Sequence, residues 1–343
     1  MRGSSAVVIR GLAAAGAVAA LLGGCSVASL QNRGADTAGL TDVTIQIDGT
    51  AVPYYAPLYA AVDQGFFAEQ GLNVTFSYAE GATALQNVAA GNVEFGFPNG
   101  DSVVTARGKG VDIEVVHTTY QQGIGAVLFN AETSGISSPA DLAGKTVAVT
   151  DLGSPNYIQL QAMLKAVGLT TQDINLVTVG SGSIVSALQN GDVDAIAFSR
   201  LRYYALQSAG FPVGQILSDE YLPSFGNVLV ASPHYVEEHR DVVRRFVAAF
   251  NEGIQYSIGH PDQSVADAIR NHASSFSGQE ASVTEVVKSL FIPSLWQSPE
   301  TDQHGLGYGD LERWQSAIDD QAANGLIPES YPAADLVVEP DEF

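Results

Sequence analysis

The chain has 343 residues, with 15 lysines and arginines against 37 aspartates and glutamates, a formal charge of −22 and 46% apolar composition. Such a composition is that of a globular protein. The acidic excess repels phosphate backbones and anionic headgroups, which argues against nucleic acid and against peripheral membrane binding by the protein surface. A single cysteine, Cys25, leaves no internal disulfide and no thiolate metal cluster, so the fold must rest on its core.

Arg2 and Arg10 are followed by an uncharged run from Gly11 to Leu22 and then by Gly23-Gly24-Cys25, the charged, apolar and small-residue order of an export signal. Leu22-Gly23-Gly24-Cys25 also fits the bacterial lipobox, in which the cysteine thiol takes a diacylglyceryl group before cleavage. An uncleaved span is the poorer reading, because Gly23, Gly24, Cys25 and Ser26 interrupt the run of about 20 apolar residues that a span requires. Residues 1–24 are therefore expected to be a signal peptide, Cys25 the site of lipid attachment on the extracytoplasmic face, and residues 25–41 a flexible tether of small polar residues. Without residues 1–24 the chain keeps 319 residues and 13 basic against 37 acidic groups, a formal charge of −24. That length exceeds what one core usually supports, so two lobes are expected.

From Asp42 onward, short β-branched runs alternate with helical stretches. Val43–Asp48 reads as strand, 56–69 as one helix, Asn73–Ser77 as strand, Thr83–Ala90 as helix and Glu94–Phe97 as strand. Two longer extended runs, Ile113–Tyr120 and Gly125–Asn130, flank Gln121-Gln122-Gly123, where the chain is expected to leave the first lobe. A second series follows, with strands at 146–150, 174–179 and 195–198 and helices at 156–167, 183–190 and 202–209. The run 227–232 is a further strand, after which the chain is largely helical. Strict alternation of strand and helix means βαβ units. The expected fold is α/β with two lobes, each a mainly parallel sheet flanked by helices: residues 42–122 plus 227–343 form the first lobe, and 123–226 the second. The terminal helices have no sheet of their own and must pack on one already built. The acidic end, Glu339 to Phe343, reads as a solvated terminus.

In open parallel sheets ligands collect beyond the carboxyl ends of the strands. Five post-strand loops here carry small donors and aromatics: Gly49 to Tyr55, Glu80 to Thr83, Pro98 to Ser102, Asp151 to Tyr157, and Ser199 to Tyr204. Each opens a helix, so backbone N–H groups suit an oxygen-rich or anionic ligand group. Thr83, Asp101 and Ser154 are equally good helix caps, the better reading for any one of them alone. As a set facing a cleft, the expected ligand-binding residues are Tyr54, Tyr55, Thr83, Asn99, Asp101, Ser154, Asn156, Tyr157, Arg200, Arg202, Tyr203 and Asn227. Among the tyrosines, Tyr54 and Tyr157 are favoured for sandwiching a flat ring.

Tyr54 to Val74, YYAPLYAAVDQGFFAEQGLNV, resembles the opening of bacterial substrate-binding proteins related to thiamine-pyrimidine synthases and to sulfonate, taurine and nitrate binders. Gly91 to Gly96, Asp141 to Val149 (DLAGKTVAV) and Gly191 to Ala195 (GDVDA) continue the resemblance in the family's order, over most of residues 43–330. It implies a periplasmic-binding-protein type 2 fold, a ligand held between the lobes, and delivery to an ABC permease and ATPase by a monomer without cofactor. In the pyrimidine binders an acidic side chain near the start of the helix after "Val-Asp-Ala" pairs with ring nitrogens. Here that place falls at about Arg202, with Arg200 beside it. Two arginines cannot accept from a ring N–H but hold a carboxylate, sulfonate or phosphate well. They either face the cleft or lie in solvent.

The expected ligand is a flat heterocycle such as a thiamine-pyrimidine precursor or related vitamin, with an alkyl sulfonate, taurine-like or other small organic anion as the alternative. A ring-modifying enzyme is the rival of another class. Against it, His117, His234, His239, His260, His272 and His304 show no paired metal-ligand spacing, and the cysteine cluster of the fungal pyrimidine synthases is missing.

Overall fold

A computed structural model describes residues 39–79 and 81–338. The expected signal peptide, Cys25, most of the tether, Glu80 and the acidic end lie outside the described residues. Two five-stranded sheets organise the rest.

The first sheet holds β1 (Thr41–Asp48), β2 (Leu72–Ala79), β3 (Phe95–Phe97), β4 (Glu114–His117) and β10 (Leu229–Ala231), in the order β2-β1-β3-β10-β4. The second holds β5 (Gly125–Asn130), β6 (Thr146–Val149), β7 (Asn175–Thr178), β8 (Ala195–Ser199) and β9 (Val213–Leu217), in the order β7-β6-β8-β5-β9. In the first sheet β1 is parallel to β2 and β3, while β10 is antiparallel to β3 and β4. In the second, β6 is parallel to β7 and β8, while β5 is antiparallel to β8 and β9. Each sheet is thus a parallel frame with one reversed strand in its fourth position. In both cases that strand is the one the chain forms on first arriving from the other lobe.

Both faces of each sheet are covered, which is why the strands read as unbroken apolar runs rather than alternating ones. Successive residues serve opposite cores, as the period of two requires. Leu229 and Ala231 face one side of the first sheet with Ile45, Phe97 and Phe246, and Val228 and Val230 face the other with Val88, Trp314 and Ile318. In the second sheet Val127 and Phe129 pack with Leu160, and Ala126 and Leu128 with Ile184.

The helices of the first series are α1 (Ala56–Asp63), α2 (Phe66–Glu69), α3 (Gly81–Ala89) and α4 (Gly100–Gly108). The single helix expected over 56–69 is broken because Gly65 turns the chain at φ 88°, a left-handed conformation that glycine accepts without strain. The second series supplies α5 (Pro155–Ala166), α6 (Ile184–Asn190) and α7 (Leu201–Ser208). The C-terminal stretch contains α8 (Pro233–Glu238), α9 (Arg240–Gly259), α10 (Pro261–Asn271) and α11 (Glu280–Val286), then a wide π-type segment (Val287–Trp296), α12 (Pro299–His304) and α13 (Leu311–Ala323). Val243, Phe246, Phe250 and Ile254 of α9 form a helical stripe on one face of the first sheet, and Trp314 and Ile318 of α13 cover the other. β9 was not expected: its Gly214 and Gln215 break the apolar run that marks the other strands of its sheet. Among the described residues no helix is long and apolar enough to cross a membrane.

Candidate functional site

The carboxyl ends of β1, β3, β6 and β8 point their loops toward the junction of the two lobes, and the lobes touch there. Ile124, Leu201 and Tyr204, from the outgoing crossing and α7, pack against the core of the first lobe. On the first-lobe side, Tyr54 stacks on Phe291 of the π-type segment, with ring centroids 5.1 Å apart and planes at 5°. The Tyr120 hydroxyl donates to the Tyr54 carbonyl at 3.2 Å, and the Tyr55 hydroxyl to the Asp48 carbonyl at 2.8 Å. Tyr54, Tyr55, Phe97, Thr119, Tyr120 and Phe250 close around a tight aromatic crevice with no room for a water molecule as it stands. A roomier concavity of about 450 Å³ lies elsewhere, against β7 and α6, where it is wide open and lined by Val177, Ser183 and Asn190. The aromatic crevice is the better candidate, because it lies beside the post-strand loops where ligands of open α/β sheets collect, and the lobes must part to admit one.

Across the junction stand the two arginines, neither of them in free solvent. Arg202 is half-buried, with its guanidinium 5.4 Å from the Phe198 ring centroid. Burial pushes the Tyr54 phenol up and the Arg202 charge pulls it back, so the two side chains are electrostatic neighbours across the lobes. Arg200 is 8% exposed and its Nε has no hydrogen-bond partner. Most of this cation's side chain is out of water, and no protein group compensates its buried Nε.

Deeper in, an interlobe hydrogen bond joins α4 to α5. Gln159 Nε2 donates to Asp101 Oδ2 at 2.5 Å, with both side chains buried. Asp101 Oδ1 and Gln159 Oε1 have no partner. Burial raises the Asp101 carboxyl to about 7, reinforced by the Asp219 charge and opposed by the Gln159 and Ser224 side chains and by Arg313. Gly125 makes room for this pair, since a Cβ there would lie 1.6 Å from Gln159 Oε1.

The remaining expected residues are occupied locally. Asn99 caps α4 by accepting from the Asp101 N–H at 3.0 Å, and it bridges to Asn227, whose Nδ2 donates to the Phe97 carbonyl at 2.9 Å. Ser154 Oγ caps α5 by accepting from the Tyr157 N–H at 3.3 Å. Asn156 is half-buried in the first turn of that helix, and Tyr157 packs on the second-lobe core. Tyr203 packs on the opposite core of the same lobe, edge-on to Tyr204 at 5.5 Å. Thr83 is exposed on α3. The junction therefore gathers Tyr54, Tyr55, Asp101, Arg200 and Arg202 around it, and leaves Thr83, Tyr157 and Tyr203 outside.

The family comparison rests on the same stretch of chain. A family described as NMT1/THI5 like matches residues 52–264. The chain belongs to that family. The match runs from the loop carrying Tyr54, through the second lobe and both crossings, into α10. The riboflavin-binding protein RibY of Chloroflexus aurantiacus is 25% identical over 291 residues, 84% of this chain and 82% of that protein. The formylaminopyrimidine-binding protein of Halalkalibacterium halodurans is 25% identical over 311 residues, 89% and 92% of the two chains. In fold, the alkanesulfonate-binding protein SsuA from Xanthomonas axonopodis pv. citri, solved with MOPS, superposes with a TM-score of 0.68 at 18% identity, covering 87% of this chain and 98% of that one. The architecture of this NMT1/THI5-like chain is accordingly the two-lobe α/β fold of periplasmic binding proteins.

Gln159, Phe291 and Arg313 are the functional candidates that the sequence reading missed. Gln159 sits inside a helix and Phe291 in an apolar stretch, where neither differs in pattern from core or surface residues. Only the chain path brings them to the junction.

Proposed function

We propose that this protein is the extracytoplasmic solute-binding component of an ABC importer, capturing a small flat heterocycle of the thiamine-pyrimidine or vitamin type between its lobes. The observation that carries the reading is the junction itself: a stacked tyrosine and an aromatic crevice on one lobe face two arginines and a helix N-terminus on the other. The names of the two relatives, a riboflavin binder and a formylaminopyrimidine binder, support the heterocycle. Closure is a hinge motion about the crossings near Gln121 to Gly125 and Phe225 to Asn227, between a first lobe of residues 42–122 and 227–343 and a second of 123–226. A ligand drives it by binding the closed state better. Cys25 carries a lipid that keeps the protein at the membrane beside its permease and ATPase, and the molecule acts as a monomer that binds without turnover.

A second reading, capture of a small organic anion such as an alkyl sulfonate, is favoured specifically by the buried Arg200. One experiment tests both. A Cys25→Ser chain is expected in the soluble fraction, where riboflavin, formylaminopyrimidine and taurine are screened by thermal shift and recovered ligand is checked for chemical change. A true ligand at 100 times its dissociation constant stabilises by about 2.7 kcal/mol. Stabilisation by none of the three would defeat both ligand readings. Turnover of a bound compound would revive the enzyme, and retention of the variant at the membrane would remove the lipid anchor.

A further inference from the structure

Arg200 stands apart from the other cations among the described residues. Among the described residues it is the only lysine or arginine in the buried set, at 8% exposure. No carboxylate lies within ion-pair distance of its guanidinium, which makes no hydrogen bond to the described residues, and Nε is shut away from solvent. Its bonds are main-chain ones: the backbone N–H donates to the Ile124 carbonyl at 2.8 Å and the carbonyl accepts from the Tyr203 N–H at 3.1 Å.

The local chain does not explain this burial. Arg200 lies between the end of β8 and the first turn of α7, where its side chain makes no capping hydrogen bond. What lies around it includes the first lobe, because Ile124, Leu201 and Tyr204 beside it all pack on that lobe's core. Closing the lobes therefore buries most of the side chain of a cation, including its Nε. Its neighbours do not compensate: Arg202, two residues on, adds a second positive charge, and the N-terminus of the eight-residue α7 adds a partial one. Everything fixed in this corner favours negative charge, and no protein group provides it.

Building on the reading of the junction as a ligand cleft, we propose that the ligand carries an anionic oxygen group, a carboxylate, sulfonate or phosphate, which docks on Arg200 at the N-terminus of α7, and that its arrival is what permits the lobes to close. A heterocycle that fits this site bears such a group, and the neutral form of the same ring binds poorly. The empty protein stays open because closure would strand the charge.

The test has two arms. Riboflavin and riboflavin 5′-phosphate, which differ only in the phosphate, are titrated calorimetrically into the full chain and into Arg200→Gln. The phosphate ester is expected to bind the wild type about 10- to 100-fold more tightly than riboflavin, as a charge-assisted bond predicts, and the variant is expected to lose that advantage. Equal affinities for the two flavins, or an advantage that survives in Arg200→Gln, would overturn the proposal while leaving the heterocycle reading intact. If neither flavin binds, only the flavin form of that reading falls, and the second arm decides without any ligand. Small-angle scattering should show ligand-free Arg200→Met more compact than ligand-free wild type, because the variant closes without stranding a charge. Equal radii of gyration, with circular dichroism showing both folded, would refute the gate.

Discussion

At the scale of single residues, Asp101 and His117 pull the pH dependence of stability in opposite directions. Burial raises Asp101 from 3.8 to about 7, so as pH rises past 3.8 the unfolded chain ionises first and the folded one follows only near 7. Its contribution is full below pH 3.8 and is lost as pH rises to about 7, at about 1.4 kcal/mol per unit. His117 is lowered by burial from 6.5 to about 4, against the opposing hydrogen bond from Nε2 to Asn251 Oδ1 at 2.9 Å. Its contribution is present above pH 6.5 and is lost as pH falls toward 4. The two slopes offset each other between about 4 and 6.5, and above that window Asp101 acts without His117. Asp101→Asn keeps the shape of the side chain and supplies an N–H that Gln159 Oε1 lacks. Urea denaturation of wild type and variant at pH 5, 6, 7 and 8 should therefore show the variant gaining on the wild type as pH rises toward 7. A difference that does not change with pH would mean that Asp101 is ionised in the folded protein.

Between elements, what could be read in the sequence and what could not divide along a physical line. Strands were legible because both faces of each sheet are buried, which leaves runs such as Val147-Ala148-Val149 and Leu229-Val230-Ala231 with no polar residue to interrupt them. β9 was missed where Gly214 and Gln215 dilute the run, and the first helix was drawn too long because Gly65 does not look like a stop until its φ is known. For the site, loops at the ends of strands were legible and Tyr54, Asp101 and the arginines came from them, whereas Gln159 and Phe291 depend on packing between distant segments. The α4 to α5 link is the clearest such case, and Gly125 beneath it offers a direct test. Gly125→Ala would place a methyl 1.6 Å from Gln159 Oε1 and 2.6 Å from Ser218 Oγ, so the Gln159 side chain must leave Asp101. Overpacking of this kind costs about 1–3 kcal/mol. In a Gln159→Ala background most of that cost should vanish, and denaturation of the four proteins of the cycle gives the coupling directly. Additive losses would show that the strain lies elsewhere.

On the scale of the whole molecule, the late return of one strand decides how the protein unfolds. The first sheet has β10 between β3 and β4, yet β10 is made only after the second lobe has been traversed, so the first lobe cannot be finished before the second, whose five strands are consecutive. The Asp219 carboxylate ties the paths together: Oδ1 accepts from the Gly123 N–H of the outgoing crossing at 2.9 Å, the Ser224 N–H of the returning one at 3.3 Å and Arg313 of α13 at 2.6 Å. Arg313 also donates to the Ser224 carbonyl at 2.7 Å and lies 5.3 Å from the centroid of Phe225. From the C-terminal side, the Ala323 carbonyl accepts from Lys165 of α5 at 2.5 Å. A chain bound together in this way is expected to melt in one transition, with calorimetric and van't Hoff enthalpies equal, although two separate lobes would give two. Arg313→Ala removes the cation from a partly buried cluster and leaves Asp219 with the two backbone donors alone. The loss should be about 1–3 kcal/mol, seen as a lower Tm, because the hydrogen bonds concerned involve charged groups. If the crossings are what make the lobes cooperative, the same variant should also broaden the transition or split it in two. A lower Tm with the wild-type sharpness would mean that the return of β10 to the first sheet couples the lobes without Arg313, which then only adds stability.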